Sequence, residues 1–168
     1  MPNNYAFIDG QNVNLGFQKR LGWKVDWRRL RVYLKDRYHV SCAYYFVGYM
    51  PGNTKLYTAL QRYDYKLIFK PVTYQEGKPK GNVDAELVLQ AMIDFNEYDK
   101  AVNVSSDGDF RCLVDHLRDK GKLERVLSPN RAECSALLKR AAGPKIDFLE
   151  DARSKIEYKK DPGQSQGL

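Results

Sequence analysis

Ala101-Val-Asn-Val-Ser-Ser-Asp-Gly-Asp-Phe110 is a short apolar run that stops abruptly at a polar turn, and a helical pattern follows it. Tyr5-Ala-Phe-Ile-Asp-Gly10 stops in the same way near the start of the chain. Apolar runs of this kind are typical of buried parallel strands. Because strand and helix patterns alternate, we predict an α/β fold with a single doubly wound, mainly parallel five-stranded sheet and helices on both faces.

The predicted elements fill most of the chain. The strands cover residues 5–8, 40–47, 66–72, 101–104 and 124–127. The helices cover residues 12–20, 54–62, 83–95, 110–120, 133–142 and 146–156, together with one helix that Asp26 caps. Residues 73–81 are predicted to form a polar loop. We expect one domain over residues 1–158 and a disordered tail over residues 159–168, which has no apolar residue before Leu168.

Three aspartates follow two of the predicted strands. Asp9 comes directly after the first strand, and Asp107 and Asp109 closely follow the fourth. In doubly wound sheets, ligands bind beyond the carboxyl ends of the strands, near the point where the strand order reverses. If the two strands are neighbours, the three carboxylates gather at one edge of the sheet.

A fourth carboxylate, that of Asp84, opens the helix predicted at 83–95. Asp84 shares one face of this helix with Val88, Ala91 and Phe95, so its charge lies at the head of an apolar stripe. An unpaired charge there is costly, and the helix carries no basic residue to offset it. Mg²⁺ or Mn²⁺ would satisfy all four carboxylates, because both ions prefer oxygen ligands.

Each of these residues also has an ordinary structural explanation. Asp107 or Asp109 could cap a helix, although both cannot cap the same one. Asp9 could belong to a plain turn, and Asp84 could accept hydrogen bonds from the amides of its own helix. Asn12 could cap the first helix, orient Asp9, or do both.

The charge balance favours a polyanionic partner. The chain has 28 Lys and Arg against 21 Asp and Glu, a formal charge of +7. Lys70, Lys78 and Lys80 flank the entry to the Asp84 helix, and we expect them to bind a phosphate backbone unless the loop is merely solvated.

Ser105 and Ser106 are candidates for contact with phosphate or a metal-bound water. Arg31 belongs to a group of arginines predicted to face solvent on the helix that Asp26 caps.

The remaining composition narrows the class of protein. Three cysteines without a C-x-x-C pair argue against a disulfide framework and a structural zinc site. The sequence contains no candidate membrane span and no secretory signal pattern, so we expect a cytoplasmic protein with no membrane partner. Its oligomeric state stays open, with a homodimer as one alternative.

Three segments resemble the signature blocks of the NYN domain in LabA-like proteins, a family of the PIN-like nuclease superfamily. They are Phe7-Ile-Asp-Gly-Gln-Asn12, Lys80-Gly-Asn-Val-Asp84 and Ser105-Ser-Asp-Gly-Asp-Phe110. The resemblance covers roughly residues 5–150. It implies a PIN-like, Rossmann-like fold in which Asp9, Asp84, Asp107 and Asp109 line a Mg²⁺ or Mn²⁺ site that cleaves RNA. Asn12 matches the motif asparagine, whereas Ser106 stands where many members have glycine.

We therefore predict a metal-dependent ribonuclease that acts on RNA, with single strands as the expected substrate. Two alternatives stay open: a non-catalytic RNA-binding or regulatory module on the same fold, and a phosphohydrolase for small molecules. The chain lacks the Asp-x-Asp after the first strand that haloacid-dehalogenase-type phosphatases show. It also lacks the P-loop pattern and the glycines of dinucleotide-binding folds.

Overall fold

A computed structural model describes residues 1–160. Within this range a central sheet has six strands, all paired in parallel, in the order β3-β2-β1-β6-β7-β8. The strands are β1 (Asn4–Asp9), β2 (Val40–Gly48), β3 (Tyr65–Lys70), β6 (Ala101–Val104), β7 (Leu123–Ser128) and β8 (Ile146–Phe148). The predicted doubly wound α/β fold is confirmed, with six strands in the central sheet instead of five.

The helices lie on both faces of this sheet. They are α1 (Gly10–Leu15), α2 (Trp27–Tyr38), α3 (Thr54–Arg62), α4 (Asp84–Ile93), α5 (Arg111–Asp119), α6 (Ala136–Ala142) and α7 (Arg153–Ile156). A π-helical turn over Gly16–Leu21 continues α1. None of the helices within residues 1–160 combines the length and apolarity needed to cross a membrane.

Two hydrophobic cores, one on each face, hold these layers together. Ile8 and Leu30 belong to the core under α1, α2 and α7, whereas Phe7 and Leu87 belong to the core under α4, α5 and α6. Successive residues of β1 enter opposite cores because side chains alternate across a strand. The sheet is thus buried on both sides, as the near-continuous apolar runs of its strands predict.

Strand order reverses between β1 and β6, which are hydrogen-bonded neighbours. From β1 the chain moves outward to β2 and β3, and from β6 it moves outward in the other direction to β7 and β8. The connections after β1 and β6 therefore diverge and leave a crevice at the carboxyl ends of these strands. This crevice is where the candidate site lies.

Two segments differ from the prediction. Ile146–Phe148 was expected to be helical but pairs with β7 as a parallel edge strand, and a 3₁₀ turn over Leu149–Ala152 precedes α7. A three-residue strand is too short for its periodicity to distinguish it from a helix. Residues 73–81 were expected to be a loop but contain an antiparallel hairpin, β4 (Thr73–Gln75) and β5 (Lys78–Lys80). Both residues of its turn, Glu76 and Gly77, have positive φ angles, as a type I′ turn requires.

The prediction for Arg31 was wrong. This side chain is buried, with 7% of its surface exposed. Its guanidinium group donates hydrogen bonds to the backbone oxygens of Val40, Ser41 and Asp64 and forms an ion pair with the Asp64 carboxylate at 3.2 Å. Arg31 therefore fastens α2 to the beginnings of β2 and β3.

The tail predicted to be disordered covers residues 159–168. Residues 161–168 of this tail lie outside the described residues.

Candidate functional site

Three carboxylates meet at the crevice between β1 and β6. Asp9 is the last residue of β1, Asp107 lies in the turn after β6, and Asp84 is the first residue of α4, which packs against β1. One oxygen atom from each carboxylate lies within 4.8 Å of the other two. The parallel pairing of β1 with β6 brings the first two together, and the position of α4 adds the third.

Asp9 is the most deeply buried member of this acidic triad, with 6% of its surface exposed. Its Oδ1 accepts a hydrogen bond from the backbone N–H of Asn12 at 3.3 Å and so caps α1. Burial, together with the charges of Asp84 and Asp107 and against the opposing effect of the Asn12 N–H, raises the pKa of Asp9 to about 6. The first helix therefore begins at Gly10, two residues earlier than predicted, because Asp9 and not Asn12 is its cap.

Asp84 is half-buried at the head of α4. Burial, then the charge of Asp107 and the contact with Asp109, raise its pKa to about 6 against the opposing hydrogen bond from Asn82. The backbone N–H of Asp84 donates to Oδ1 of Asn82 at 2.8 Å. The Asn82 side chain thus satisfies the first amide of the helix, and the Asp84 carboxylate faces the other aspartates.

The Asp107–Asp109 turn is held by its own hydrogen bonds. Oδ1 of Asp107 accepts from the backbone N–H of Asp109 at 2.9 Å, which caps a 3₁₀ turn over Gly108–Phe110. Asp109 is exposed and lies outside the group of three, but close enough to Asp84 to raise its pKa. Of the four predicted carboxylates, the structure thus gathers three and places the fourth beside them.

Asn12 joins the two halves of the site. Its Nδ2 donates to Oγ of Ser106 at 3.0 Å, and its Oδ1 accepts from the backbone N–H of Ser106 at 2.9 Å. This pair of hydrogen bonds ties the start of α1 to the turn that carries Asp107. Asn12 therefore bridges the two segments that carry Asp9 and Asp107.

The two serines of the turn differ in access. Ser105 is fully buried, and its Oγ accepts a hydrogen bond from the backbone N–H of Asp107 at 3.1 Å. Direct contact between Ser105 and a substrate, as expected from the sequence, does not fit this burial. Ser106 is partly exposed and bonded to Asn12, so its hydroxyl is the accessible one.

The three predicted substrate-binding lysines separate into two kinds. Lys70 donates to the backbone oxygen of Asn82 at 2.6 Å and pairs with Glu86 at 3.6 Å, so it holds the segment that leads into α4. This does not fit the free phosphate-binding lysine that the sequence suggested. Lys78 and Lys80 are exposed on β5 of the hairpin, and Lys80 lines the cleft that contains the acidic triad.

The cleft has a volume of about 490 Å³. Asp9, Asp84 and Asp107 line it, and Gln11 and Asn82 are two lining residues that the sequence reasoning missed. Asn82 could have been found from its position two residues before Asp84, because an Asn side chain readily bonds the backbone N–H two residues on. Nothing in the local pattern marks Gln11, because its role depends on how α1 is turned toward the cleft.

The donor set fits a hard divalent cation. The oxygens of the triad are all carboxylate oxygens, the ligands that Mg²⁺ and Mn²⁺ prefer. Among the ion pairs formed within residues 1–160, none involves Asp9, Asp84, Asp107 or Asp109. Burial is the main cause of the raised pKa values of Asp9 and Asp84, and repulsion between the clustered carboxylates adds to it.

Comparison with known proteins agrees with this geometry. Residues 5–149 match the NYN domain family. The low amplitude and bright protein LabA of Synechococcus elongatus is 31% identical, and the match covers 96% of this chain and 91% of that protein. A crystal structure of a protein of unknown function from Vibrio parahaemolyticus has the same fold, with a TM-score of 0.76 at 20% identity over 94% of this chain and 96% of that one. The chain belongs to the NYN domain family, within the PIN-like nuclease superfamily.

Proposed function

We propose that this protein is a metal-dependent ribonuclease that hydrolyses phosphodiester bonds of single-stranded RNA. The observation that carries the proposal is the convergence of Asp9, Asp84 and Asp107 at the crevice. Their oxygens lie within 4.8 Å of one another, and no cationic side chain of the described residues is paired to them. The family supports the same reading, because NYN domains belong to a superfamily of nucleases.

The acidic triad would hold Mg²⁺ or Mn²⁺, and Asp109 would complete the set at its exposed rim. When bound, such an ion lowers the pKa of a water and neutralises charge on the phosphate. The chain itself supplies rigid placement: Asp9 and Asp107 are fixed by strand ends, and Asn12 holds their separation through Ser106. The Asp109 carboxylate lies within hydrogen-bonding range of Asp84 at the exposed rim, so it could join the triad around the ion.

The hairpin supplies the contact with the RNA backbone. Lys78 and Lys80 are exposed on β5, and Tyr74 on β4 exposes 68% of its surface. Lysines that neutralise phosphates beside an aromatic ring that stacks on a base are the usual combination in proteins that bind single strands. We place the enzyme in the cytoplasm, where Cys42, Cys112 and Cys134, which are free thiols, stay reduced.

Cleavage of a labelled single-stranded RNA tests the proposal. We expect cutting with Mn²⁺, none with EDTA, and none by Asp84→Asn with Mn²⁺. Asp36→Asn is the matched control, because Asp36 is exposed on α2, away from the crevice, and should cut at the wild-type rate. RNA binding without cleavage under all conditions would instead favour a non-catalytic module. Release of phosphate from nucleotides without RNA cleavage would favour a small-molecule phosphohydrolase.

A further inference from the structure

A second, smaller cavity of about 240 Å³ opens beside the cleft that contains the acidic triad. The two cavities share a wall formed by α1, the end of β2 and the base of the hairpin; Gln11, Leu15, Gly48, Pro79 and Gly81 line both. We call the smaller cavity the side pocket. Its mouth therefore adjoins the place where, under the proposed function, a phosphate of the RNA would lie.

The walls of the side pocket are well defined. Gly81 at the foot of the hairpin packs against Gly48 at the end of β2, so that a Cβ on Gly81 would lie 3.0 Å from a methyl group of Val72 and 3.3 Å from the Gly48 Cα. The hairpin base is thus in close contact with the sheet. Tyr45, fully buried, forms part of the lining, and its hydroxyl accepts a hydrogen bond from Asn14 at 3.2 Å.

The lining of the side pocket carries no formal charge, whereas the adjoining cleft contains the carboxylates of the acidic triad. It consists of Gln11, Asn14, Leu15, Tyr45, Val47, Gly48, Met50, Asn53, Leu56, Val72, Pro79 and Gly81. An uncharged, largely apolar pocket would bind a phosphate or a metal ion poorly, because neither charge would be compensated. Its volume is below the roughly 300–1,000 Å³ of pockets that take drug-sized ligands, so it suits one small planar group.

Two exposed carboxamides stand at this pocket. Among the described residues, the side chains of Gln11 and Asn53 form no hydrogen bond with protein groups, although Asn53 occupies the cap position of α3, so both are open to a ligand. A carboxamide offers both a donor and an acceptor, which is the combination that pairs with the edge of a nucleobase. Apolar walls with such groups at the rim are the surroundings in which proteins bind unstacked bases of single-stranded RNA.

We infer that the side pocket binds one nucleobase of the RNA strand, next to the phosphate held at the acidic triad. This inference rests on the proposed function, which places a phosphate of the RNA at the acidic triad. A charged cleft joined to an uncharged pocket then matches the phosphate and the base of one nucleotide. Gln11 and Asn53 then contact the edge of the base, and the protein cuts with a preference for the base at that position.

Photo-crosslinking locates the base without relying on cleavage. A single-stranded RNA containing 4-thiouridine is irradiated with the Asp84→Asn variant in Mn²⁺, and the adduct is mapped by mass spectrometry. We expect adducts on the accessible side-pocket residues Met50 and Leu56. Asn53→Trp, added to that variant to fill the pocket from its rim, should remove them. Gln61→Trp on the exposed surface of α3 is the matched control and should keep them.

A binding measurement gives the second readout. Asn53→Ala should weaken binding of the base-containing RNA roughly fivefold, as expected for one lost hydrogen bond. It should not change the affinity for the same backbone without bases. Adducts confined to other surfaces, no adducts, or equal losses on both RNAs would overturn the inference. Pocket adducts without any wild-type cleavage would keep the base site and refute the ribonuclease, so the two failures are distinguishable.

Discussion

Replacing Asp9 with Asn should stabilise the metal-free protein. The side chain is 6% exposed, and burial together with two neighbouring carboxylates raises its pKa from 3.8 to about 6. The folded state binds a proton at Asp9 more tightly than the unfolded state does. The stabilisation that this proton gives is fully present below about pH 4, and it is lost as the pH rises through 6. At pH 8 the ionised carboxylate therefore costs up to about 3 kcal/mol, at roughly 1.4 kcal/mol per pKa unit.

Asn removes this cost and keeps the cap, since its Oδ1 can still accept the hydrogen bond from the Asn12 N–H. Urea denaturation in EDTA at pH 8 should show Asp9→Asn more stable than wild type by about 2–3 kcal/mol. At pH 5 the difference should shrink by about 1.4 kcal/mol, because most of the folded wild type is then protonated. The exposed control Asp36→Asn should change stability by less than about 0.5 kcal/mol at either pH.

With saturating Mn²⁺ the order should reverse, because a ligand that binds only the folded state stabilises it and the variant has lost a ligand. The reasoning is refuted if Asp9→Asn is less stable than wild type in EDTA at pH 8. A difference that does not depend on pH would also contradict it, since the raised pKa is the source of the effect.

Other outcomes follow from contacts elsewhere in the molecule. The logarithm of the RNA-binding constant should fall against the logarithm of salt concentration with a slope of roughly −2, as expected if about three phosphates are neutralised. Lys80→Ala should make this slope shallower, and a binding constant that does not change with salt would exclude the basic surface as the main RNA contact. Arg31→Ala should lower the free energy of unfolding by about 2–4 kcal/mol, because three backbone oxygens and Asp64 lose a buried partner, whereas exposed Arg29→Ala should cost under about 1 kcal/mol in urea denaturation. Asn12→Ala should slow cleavage at saturating Mn²⁺ roughly tenfold through loss of the two bonds to Ser106; an unchanged rate would remove its positioning role.

Much of the site was predictable because its residues mark the ends of regular elements. Asp9 and Asp107 follow apolar runs that stop sharply, and Asp84 interrupts the apolar face of a helix. Such signals depend on period and position, which are local properties. That β1 and β6 are neighbours was a condition of this prediction and not part of it, and the structure supplies the pairing.

The misjudged features depend on hydrogen bonds to the backbone and on a turn that the periodic pattern of the sequence does not show. Arg31 matches the solvent face of its helix, yet it turns inward to bond the backbone carbonyls at the beginnings of β2 and β3. Ser105 and Lys70 looked available because their partners come from neighbouring backbone, which a sequence pattern does not reveal. The β4–β5 hairpin turns at Glu76-Gly77, which lacks the Asn-Gly or Asp-Gly signal of most two-residue hairpins.

The rate of RNA cleavage as a function of Mn²⁺ concentration tests the central claim most directly. The measurement compares wild type, Asp84→Asn and Asp36→Asn under single-turnover conditions on one labelled single-stranded RNA. We expect the wild-type and Asp36→Asn rates to rise to the same plateau, to fall to background with EDTA, and Asp84→Asn to stay at background at every concentration. Cleavage that persists in EDTA, or an Asp84→Asn rate equal to wild type, would contradict a metal site built on the acidic triad.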